Sequence, residues 1–321
     1  THCSNSTTSN SVTWCNKFIG CGMPSDPLLE ALRQIVTNDL PSSLPSHVAF
    51  IVGSNPSKGA RSPKLWNAAF VALGIDGEMF PLDVAVDKLA ALLGLLDADK
   101  RVVGVAVAAP FKADLAKLLG DRLTAAAKRC GSINLLSREA TGRLHGSNTD
   151  GAGAVESLRE VCPTFVNSQI LVLGCGGTGR AVIAKLVDEA KPSQVTVATR
   201  SDKHTEWLAG LGVGQCASDL QGVDITRFGV VINCTTLGWG EQSHSSPLSD
   251  DQIAALPANC TVFDVVYQPD PTRLLQQARQ RELRTLSGTR MNLLQAVIAF
   301  STANDHADSQ SVASAMKAAA S

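Results

Sequence analysis

The stretch Ile170-Leu-Val-Leu-Gly-Cys-Gly-Gly-Thr-Gly-Arg-Ala-Val-Ile183 decides the fold of this chain. Four apolar residues run into a glycine-rich turn, which is followed by the apolar spacing of a helix. This order is typical of a dinucleotide-binding domain, because the glycines let the backbone approach a pyrophosphate and the positive end of the helix attracts it. A tight turn with no ligand is the alternative, since a glycine pattern alone is weak evidence. The predicted cofactor contacts in this turn are Gly174, Gly176, Gly177, Thr178 and Gly179.

The end of the next predicted strand indicates which dinucleotide the turn would bind. A domain that prefers NAD places an acidic side chain there, where it binds the ribose hydroxyls. Here the strand ends in Ala198-Thr-Arg-Ser201, without a carboxylate and with Lys203 close behind. Arg200 and its neighbouring hydroxyls suit the 2′-phosphate of NADP, the alternative being a solvated surface arginine. We therefore predict NADP as the cofactor, with contacts at Thr199, Arg200 and Ser201.

Short apolar runs alternate with helical patterns on both sides of this stretch. Strands are predicted at 48–52, 79–84, 101–109, 170–173, 194–198, 230–233 and 262–265. Helices are predicted at 65–73, 88–96, 111–119, 151–161, 180–190, 203–209, 272–281, 291–302 and 309–320. This alternation favours parallel sheets covered by helices on both faces.

The predicted fold class is α/β with two domains. One is an α/β substrate-binding domain with a mostly parallel sheet, and the other is a Rossmann-type dinucleotide-binding domain. We expect residues 1–46 to form an N-terminal extension, in which Asp26 and Pro27 are typical of a helix start. Residues 47–150 and 287–321 are assigned to the substrate-binding catalytic domain, and residues 151–286 to the NADP-binding domain.

Composition excludes several classes of protein. Of the 321 residues, 44% are hydrophobic and 18% are charged, which suits a globular enzyme with buried strands and excludes a disordered chain. The net charge of -1 predicts neither a nucleic-acid partner nor an anionic membrane surface. Nine cysteines lack the paired spacing of a zinc site or a disulfide scaffold, and no apolar run is long enough to span a bilayer. We expect a soluble, cytoplasmic protein whose polar residues 1 to about 25 pack only locally.

Two polar residues lie where the chemistry would be expected. Lys112 comes just past the end of a predicted buried strand, which is where open α/β sheets bind ligands. Asp150 lies in the polar segment Gly146-Ser-Asn-Thr-Asp-Gly151, directly before a predicted helix. Taken alone, Lys112 could be a lysine on a helix surface, and Asp150 could be the N-cap of its helix.

Several short motifs follow one another along the chain. They are Gly131-Ser-Ile-Asn134, Asn148-Thr-Asp-Gly151, Gly174-Cys-Gly-Gly177, Asn233-Cys-Thr-Thr-Leu-Gly238, Phe263-Asp-Val-Val-Tyr267 with Pro269, and Met291 with Gln295-Ala296. In the order and spacing of these motifs the sequence resembles the shikimate dehydrogenase family, from about residue 47 to residue 303.

The resemblance implies roles for individual side chains. Lys112 and Asp150 would be the catalytic pair, with the lysine giving a proton to the alkoxide that forms when a ring ketone accepts hydride. Tyr267 would lie near the nicotinamide and the substrate. The implied substrate contacts are Ser62, Asn134, Gln295 and Tyr267, and the implied further cofactor contacts are Thr235 and Gly288.

Three alanines depart from the family's pattern. Ala60 replaces the first serine of a paired-serine motif that keeps Ser62, and Ala106 and Ala108 replace an asparagine and a threonine. Losing two or three hydrogen bonds, each about 0.5 to 1.5 kcal/mol, would weaken shikimate binding by about one to three orders of magnitude. The substrate would then lack its carboxylate or have it held differently. Candidate replacement groups are Arg61, Lys58 and Lys64.

Two hypotheses of function follow. The first is an NADP-dependent oxidoreductase that acts on shikimate or a related polyhydroxylated ring compound, as a monomer or homodimer. The second is a non-catalytic relative that binds a nucleotide or metabolite as a sensor, which the three alanines suggest. The presence of both Lys112 and Asp150 argues for the first, because a protein that only binds has no need of a proton donor.

Overall fold

The structure, a computed structural model, describes residues 26–320. Two β-sheets with helices packed on them make up its architecture. The prediction of an α/β fold is confirmed, whereas the expectation for residues 1–25 lies outside the described part of the chain. Between residues 26 and 320, no helix is both long enough and apolar enough to cross a membrane.

The first sheet has five strands in the order β2-β1-β3-β4-β5. These strands are β1 (His47–Gly53), β2 (Gly77–Asp83), β3 (Val102–Val107), β4 (Leu135–Arg138) and β5 (Leu144–Ser147). β1 pairs in parallel with β2 and β3, and β4 and β5 extend the sheet as antiparallel strands. The sequence does not predict β4 and β5, because four residues are too few for a recognisable alternation.

The second sheet has six strands, all parallel, in the order β11-β10-β9-β6-β7-β8. They are β6 (Gln169–Leu173), β7 (Val195–Thr199), β8 (Gly214–Ala217), β9 (Phe228–Asn233), β10 (Thr261–Asp264) and β11 (Arg284–Ser287). The chain order reverses between β6 and β9, and such a reversal opens a crevice at the carboxyl ends of the strands. The sequence does not predict the short edge strands β8 and β11.

Twelve helices lie within the described residues. They are α1 (Pro27–Arg33), α2 (Ser62–Ala72), α3 (Leu89–Ala98), α4 (Lys112–Leu119), α5 (Ala125–Cys130), α6 (Asp150–Val161), α7 (Gly177–Glu189), α8 (Thr205–Gly210), α9 (Asp250–Ala255), α10 (Arg273–Gln280), α11 (Gly288–Ala303) and α12 (Ser309–Ala320). Asp26 caps α1 by accepting the backbone N–H of Leu28 at 3.0 Å. The apolar face of α1 then packs into the core beside the first sheet.

The last two helices pack on the first sheet although they follow the second sheet in the chain. The ring of Phe300 on α11 lies 5.1 Å from that of Trp66 and 5.0 Å from that of Phe70, both on α2. Val312 and Met316 of α12 are buried in the same cluster. Because these aromatic side chains bury large apolar areas, one face of the first sheet depends on the C-terminal part of the chain for its core.

The two halves of the molecule also meet through α5. Cys130 at its end packs against Ala181 and Ala184 of α7. The indole Nε1 of Trp207, on α8, donates a 2.7 Å hydrogen bond to the backbone oxygen of Arg129. This contact joins the segment before Asn134 to the helix that follows β7.

Candidate active site

The carboxyl edge of the first sheet carries the two predicted acid-base residues. Beyond the end of β3, a turn with a cis Ala109-Pro110 bond leads to Lys112, the first residue of α4. Beyond the end of β5 the chain reaches Asp150, the first residue of α6. Thr149 occupies the N-cap position of α6, so the interpretation of Asp150 as that cap is not supported. Both residues are therefore displayed at helix starts, at the same edge of one sheet.

Lys112 and Asp150 form a buried ion pair that reaches the second half of the molecule. The Lys112 ammonium donates to Asp150 Oδ2, and the side chains are 14% and 6% exposed. Lys112 Nζ also donates to the hydroxyl oxygen of Thr178 at 3.0 Å, and that hydroxyl lies 3.2 Å from Asp150 Oδ2. Because Thr178 belongs to the glycine-rich turn, the pair stands directly against the predicted cofactor site.

A second set of polar contacts surrounds the other oxygen of Asp150. The amide Nδ2 of Asn134 lies 2.9 Å from Asp150 Oδ1, 2.8 Å from the hydroxyl of Thr149 and 3.1 Å from Gln295 Oε1. The backbone N–H of Thr149 donates to Asn134 Oδ1 at 2.7 Å. These contacts join residues from three distant parts of the chain. The network brings both predicted hydroxyl-binding amides, Asn134 and Gln295, beside the acid-base pair.

The Lys112–Asp150 pair can transfer a proton at the position of the Lys112 ammonium. An ammonium group can donate a proton to an oxygen that gains negative charge, and the paired carboxylate fixes the direction of that ammonium. A buried ion pair contributes little to stability by itself, because desolvation offsets much of the Coulomb attraction. The pair lies at the edge of the sheet where open α/β folds bind ligands, which makes it a candidate for chemistry.

The glycine-rich turn has the geometry that a pyrophosphate requires. Gly174 has a φ of +96°, which side chains rarely adopt. A Cβ on Gly179 would lie 2.4 Å from the backbone oxygen of Gly174, so only glycine allows this close contact of turn and helix. Gly176 is the N-cap of α7 and Gly177 its first residue. The open backbone and the thirteen-residue helix α7 together fit a dinucleotide phosphate.

A cavity of about 1220 Å³ lies at the carboxyl ends of β7 and β8, beside this turn. Thr199, Arg200 and Lys203 line it, and Arg200 is exposed at its rim. The backbone N–H of Ser201 donates to the Thr199 hydroxyl at 3.3 Å, which holds the segment that carries Arg200. Carboxylates also line the cavity, namely Asp202, Glu206 and Asp219. Of the three predicted contacts for a 2′-phosphate, Thr199 and Arg200 therefore line this cavity, and Ser201 lies next to Arg200 in the chain.

A buried carboxylate joins the ends of β9 and β10. Asp264 has no exposed surface and accepts hydrogen bonds from the Thr272 hydroxyl at 2.6 Å, the Asn233 amide at 2.9 Å and the Val266 backbone at 3.0 Å. Burial raises the pKa of the Asp264 carboxyl to about 6, against the effect of these donors. Asn233 in turn accepts the hydroxyl and backbone N–H of Thr235. The network fixes the loop that carries Thr235.

Tyr267, just beyond this network, contacts the first half of the molecule. Its ring centroid lies 5.9 Å from the guanidinium carbon of Arg61, which precedes α2. Burial raises the pKa of the Tyr267 phenol, and the positive charge of Arg61 acts in the opposite direction. Gly288 begins α11 close to the turn before Tyr267, where its Cα faces the backbone oxygen of Val265. The predicted site residues Tyr267 and Gly288 therefore both lie beyond the carboxyl ends of the adjacent strands β10 and β11.

Ser62 and the three alanines lie on the face of the first sheet that α2 and α11 cover. Ser62 is buried at the first position of α2. Ala60, Ala106 and Ala108 are partly buried and pack against one apolar cluster. The methyl groups at these three positions therefore pack on the core of the first sheet.

Sequence reasoning did not identify three of the residues that organise the site. Thr149 donates its hydroxyl to the backbone oxygen of Gln295 at 3.1 Å, although the motif that contains it was recognised. Asp264 and its partner Thr272 were also not singled out. A carboxylate inside the apolar run Val262 to Val266 was the available indication, since a buried acid needs hydrogen-bonding partners.

A proton donor held against a dinucleotide-binding turn is what the reduction of a ketone requires. The fold and the site therefore define a dehydrogenase of the two-unit α/β type. Comparisons with known proteins identify the family.

The family model that matches residues 51–136 describes a shikimate dehydrogenase substrate binding domain. The shikimate dehydrogenase (NADP(+)) of Symbiobacterium thermophilum is 34% identical over 266 residues, which cover 80% of this chain and 88% of that protein. The chain therefore belongs to the shikimate dehydrogenase family.

Solved structures agree with this assignment. The shikimate 5-dehydrogenase of Thermus thermophilus, in complex with NADP(H) and shikimate, has a TM-score of 0.71 and 28% identity, covering 85% of this chain and 99% of that one. The quinate dehydrogenase of Corynebacterium glutamicum, in complex with NAD, has a TM-score of 0.72 and 25% identity over similar shares, 85% and 99%. The predictions of the family and of the two-domain architecture are confirmed.

Proposed function

We propose that the protein catalyses reversible hydride transfer between NADPH and a ring ketone, 3-dehydroshikimate or a related polyol. The observation that carries this proposal is the Lys112–Asp150 pair in contact with Thr178 of the glycine turn. NADP supplies the hydride when it is bound. Relatives named as NADP(+)-dependent shikimate dehydrogenases support both the reaction and the cofactor.

The residues of this chain would divide the work as follows. Lys112 gives its proton to the substrate oxygen as that oxygen gains charge, and accepts it back in the reverse direction. Asp150 orients the ammonium and accepts a hydrogen bond from a neighbouring substrate hydroxyl. Asn134 and Gln295 hold further hydroxyls, and Thr178 keeps Lys112 at the cofactor side of the cleft. Closing the two units over the substrate would exclude water from this proton transfer.

The direct test is a substitution of the proton donor by a side chain of similar length. Lys112→Met should lower kcat with shikimate and NADP by about 10²- to 10⁴-fold, the usual contribution of a positioned acid or base. NADPH affinity, measured by fluorescence titration, should change by less than about threefold. Lys117→Met, an exposed lysine on the same helix, is the matched control and should keep wild-type turnover. Wild-type rates in Lys112→Met would contradict the mechanism.

The preference for NADP is tested at the cavity beside β7. Arg200→Gln should raise KM for NADP by about ten- to a hundredfold through the loss of a charge-assisted hydrogen bond, and should leave KM for NAD nearly unchanged. Lys191→Gln, an exposed lysine outside the cavity, controls for the lost charge. Equal effects on both cofactors would show that Arg200 does not bind the 2′-phosphate.

The sensor hypothesis has less support than the enzyme. Family membership and the assembled acid-base pair both favour catalysis, and the three alanines leave both members of that pair in place. Tight binding of shikimate, quinate and neutral analogues by calorimetry, with no reduction of NADP by any of them, would reverse this order.

We also propose the division into domains given by the two sheets. Residues 47–150 with 287–321 would bind the substrate and residues 151–286 would bind NADP, and the packing of α11 and α12 on the first sheet supports this. The expected partner is one small polyhydroxylated ring compound, and the expected assembly is a monomer or homodimer. Six cysteines of the described residues are free thiols, which suits the reducing cytoplasm.

A further inference from the structure

Arg61 lies where two loops from opposite halves of the molecule meet. It is the N-cap residue of α2, in the loop that follows β1, and its guanidinium lies over the ring of Tyr267 beyond β10. Its Nη2 donates a 3.2 Å hydrogen bond to the backbone oxygen of Ala320, at the end of α12. The side chain is therefore held at the cleft by two neighbours rather than extended into solvent.

The sheet topology places the loop of Arg61 at the same edge of the first sheet as the proton donor. β1 and β3 are adjacent parallel strands, so the loop before Arg61 and the loop before Lys112 leave the same edge of the first sheet. A Cβ on Gly53, at the end of β1, would lie 3.1 Å from the Cβ of Ala108, which shows how closely these loops approach. Contacts to the second half are made by Lys112 with Thr178 and by Arg61 with Tyr267. The two cations thus lie at one edge of the first sheet, and each contacts a different residue of the second half.

The surface near Arg61 offers few other groups to an anion. Ala60, Ala106 and Ala108 present methyl groups that pack on the core, and Ser62 supplies one hydroxyl. A guanidinium has five N–H donors in a planar fork that matches a carboxylate, and Ala320 uses one nitrogen of Arg61. The cation–π contact with the Tyr267 ring uses none of these donors.

We propose that Arg61 binds the carboxylate of the substrate, in place of the hydroxyls that the alanines lack. The proposal rests on the proposed function, because it assigns the end of the substrate opposite to the reacting oxygen. Lys58 and Lys64, the other two candidates, are exposed, whereas Arg61 is partly buried against Tyr267. Arg61 is therefore a specificity-determining residue that selects acids over neutral ring alcohols.

The experiment compares shikimate with its methyl ester, which differ in charge at this end alone. For wild type, kcat/KM with NADP should be at least about tenfold higher for the acid. Arg61→Gln should remove this difference, raising KM for shikimate by about ten- to a hundredfold while changing KM for the ester by less than about twofold. Arg61→Lys, which keeps the charge without the fork, should restore part of the preference. Lys64→Gln is the control for an equal change of charge.

The outcomes distinguish a failure of this proposal from a failure of the proposed function on which it rests. No turnover of acid or ester by wild type rejects the proposed function and this inference together. Turnover with no preference for the acid in wild type, or an Arg61→Gln variant that loses acid and ester equally, rejects the role of Arg61 alone. The second result would mean that Arg61 merely ties α12 to α2. If Arg61→Gln fails to fold, Arg61→Lys carries the test: its ratio of kcat/KM for acid over ester should fall below that of wild type, and an unchanged ratio rejects the role of Arg61.

Discussion

Replacing Asp264 by asparagine should change how the stability of the protein depends on pH. The carboxyl is fully buried, and its pKa is about 6 instead of the ordinary 3.8 because burial disfavours the charged form. A group whose pKa is higher in the folded than in the unfolded protein favours folding when it is protonated. Its stabilising effect is therefore complete below pH 3.8 and is lost as the pH rises through 6.

The size of the effect follows from the two pKa values. A difference of about two units corresponds to about 3 kcal/mol, of which about 2 kcal/mol is lost between pH 4 and pH 7. Asp264→Asn removes this titration and keeps one oxygen to accept from Asn233 or Thr272. The variant should therefore become more stable relative to wild type, by about 2 kcal/mol, across that range.

Urea denaturation of both proteins at pH 4, 5, 6 and 7 measures the difference in free energy of unfolding. Other titrating groups are common to the two proteins and cancel in the difference. Asp251→Asn, at an exposed position on α9, reports what the same change of side chain does at the surface. A wild-type-minus-variant difference that is the same at all four pH values would refute the assignment of a buried, perturbed carboxyl.

Three further predictions concern the glycine-rich turn and the contacts between the two halves. Gly179→Ala should lower the free energy of unfolding by about 1 to 3 kcal/mol and weaken NADPH binding, because its Cβ would meet the backbone oxygen of Gly174 at 2.4 Å. Urea and NADPH titrations that match wild type would contradict this close contact. Thr178→Val should reduce kcat by about three- to tenfold, with Thr178→Ser restoring it, whereas a failed rescue would point to packing. Trp207→Phe should lower the free energy of unfolding in urea by about 1 kcal/mol, because the hydrogen bond to the Arg129 carbonyl is lost. A midpoint equal to that of wild type would show that water replaces this hydrogen bond.

The parts of the fold that could be predicted are those with strong local patterns. The apolar run before Gly174 indicates both the strand and the cofactor turn, and the alternation around it indicates the fold class. β4 and β5 could not be predicted, because their pairing with β3 joins segments that are too short to show a period. Tertiary pairing, rather than local preference, makes these two segments strands.

Only part of the candidate site could be predicted from the sequence. Position after a predicted strand made Lys112 a candidate but left it open as a surface lysine, and spacing left Asp150 as either a cap or a catalytic group. Only the family resemblance implied a catalytic role for both. The contact between them spans 38 residues of sequence, and such a contact depends on the sheet that brings two helix starts together. Likewise, three cations near Ser62 were equivalent in the sequence, and only the fold brings Arg61 alone among them against Tyr267.

The position of α11 and α12 has a consequence for the newly made chain. Domains usually mature in the order in which they leave the ribosome. Here the six strands of the second sheet are complete at Ser287, whereas the other half still lacks Phe300 and Met316 from its interior. We expect the nucleotide-binding half to become protease-resistant first during translation. The half that begins earlier in the sequence should become resistant only after α11 and α12 have been synthesised.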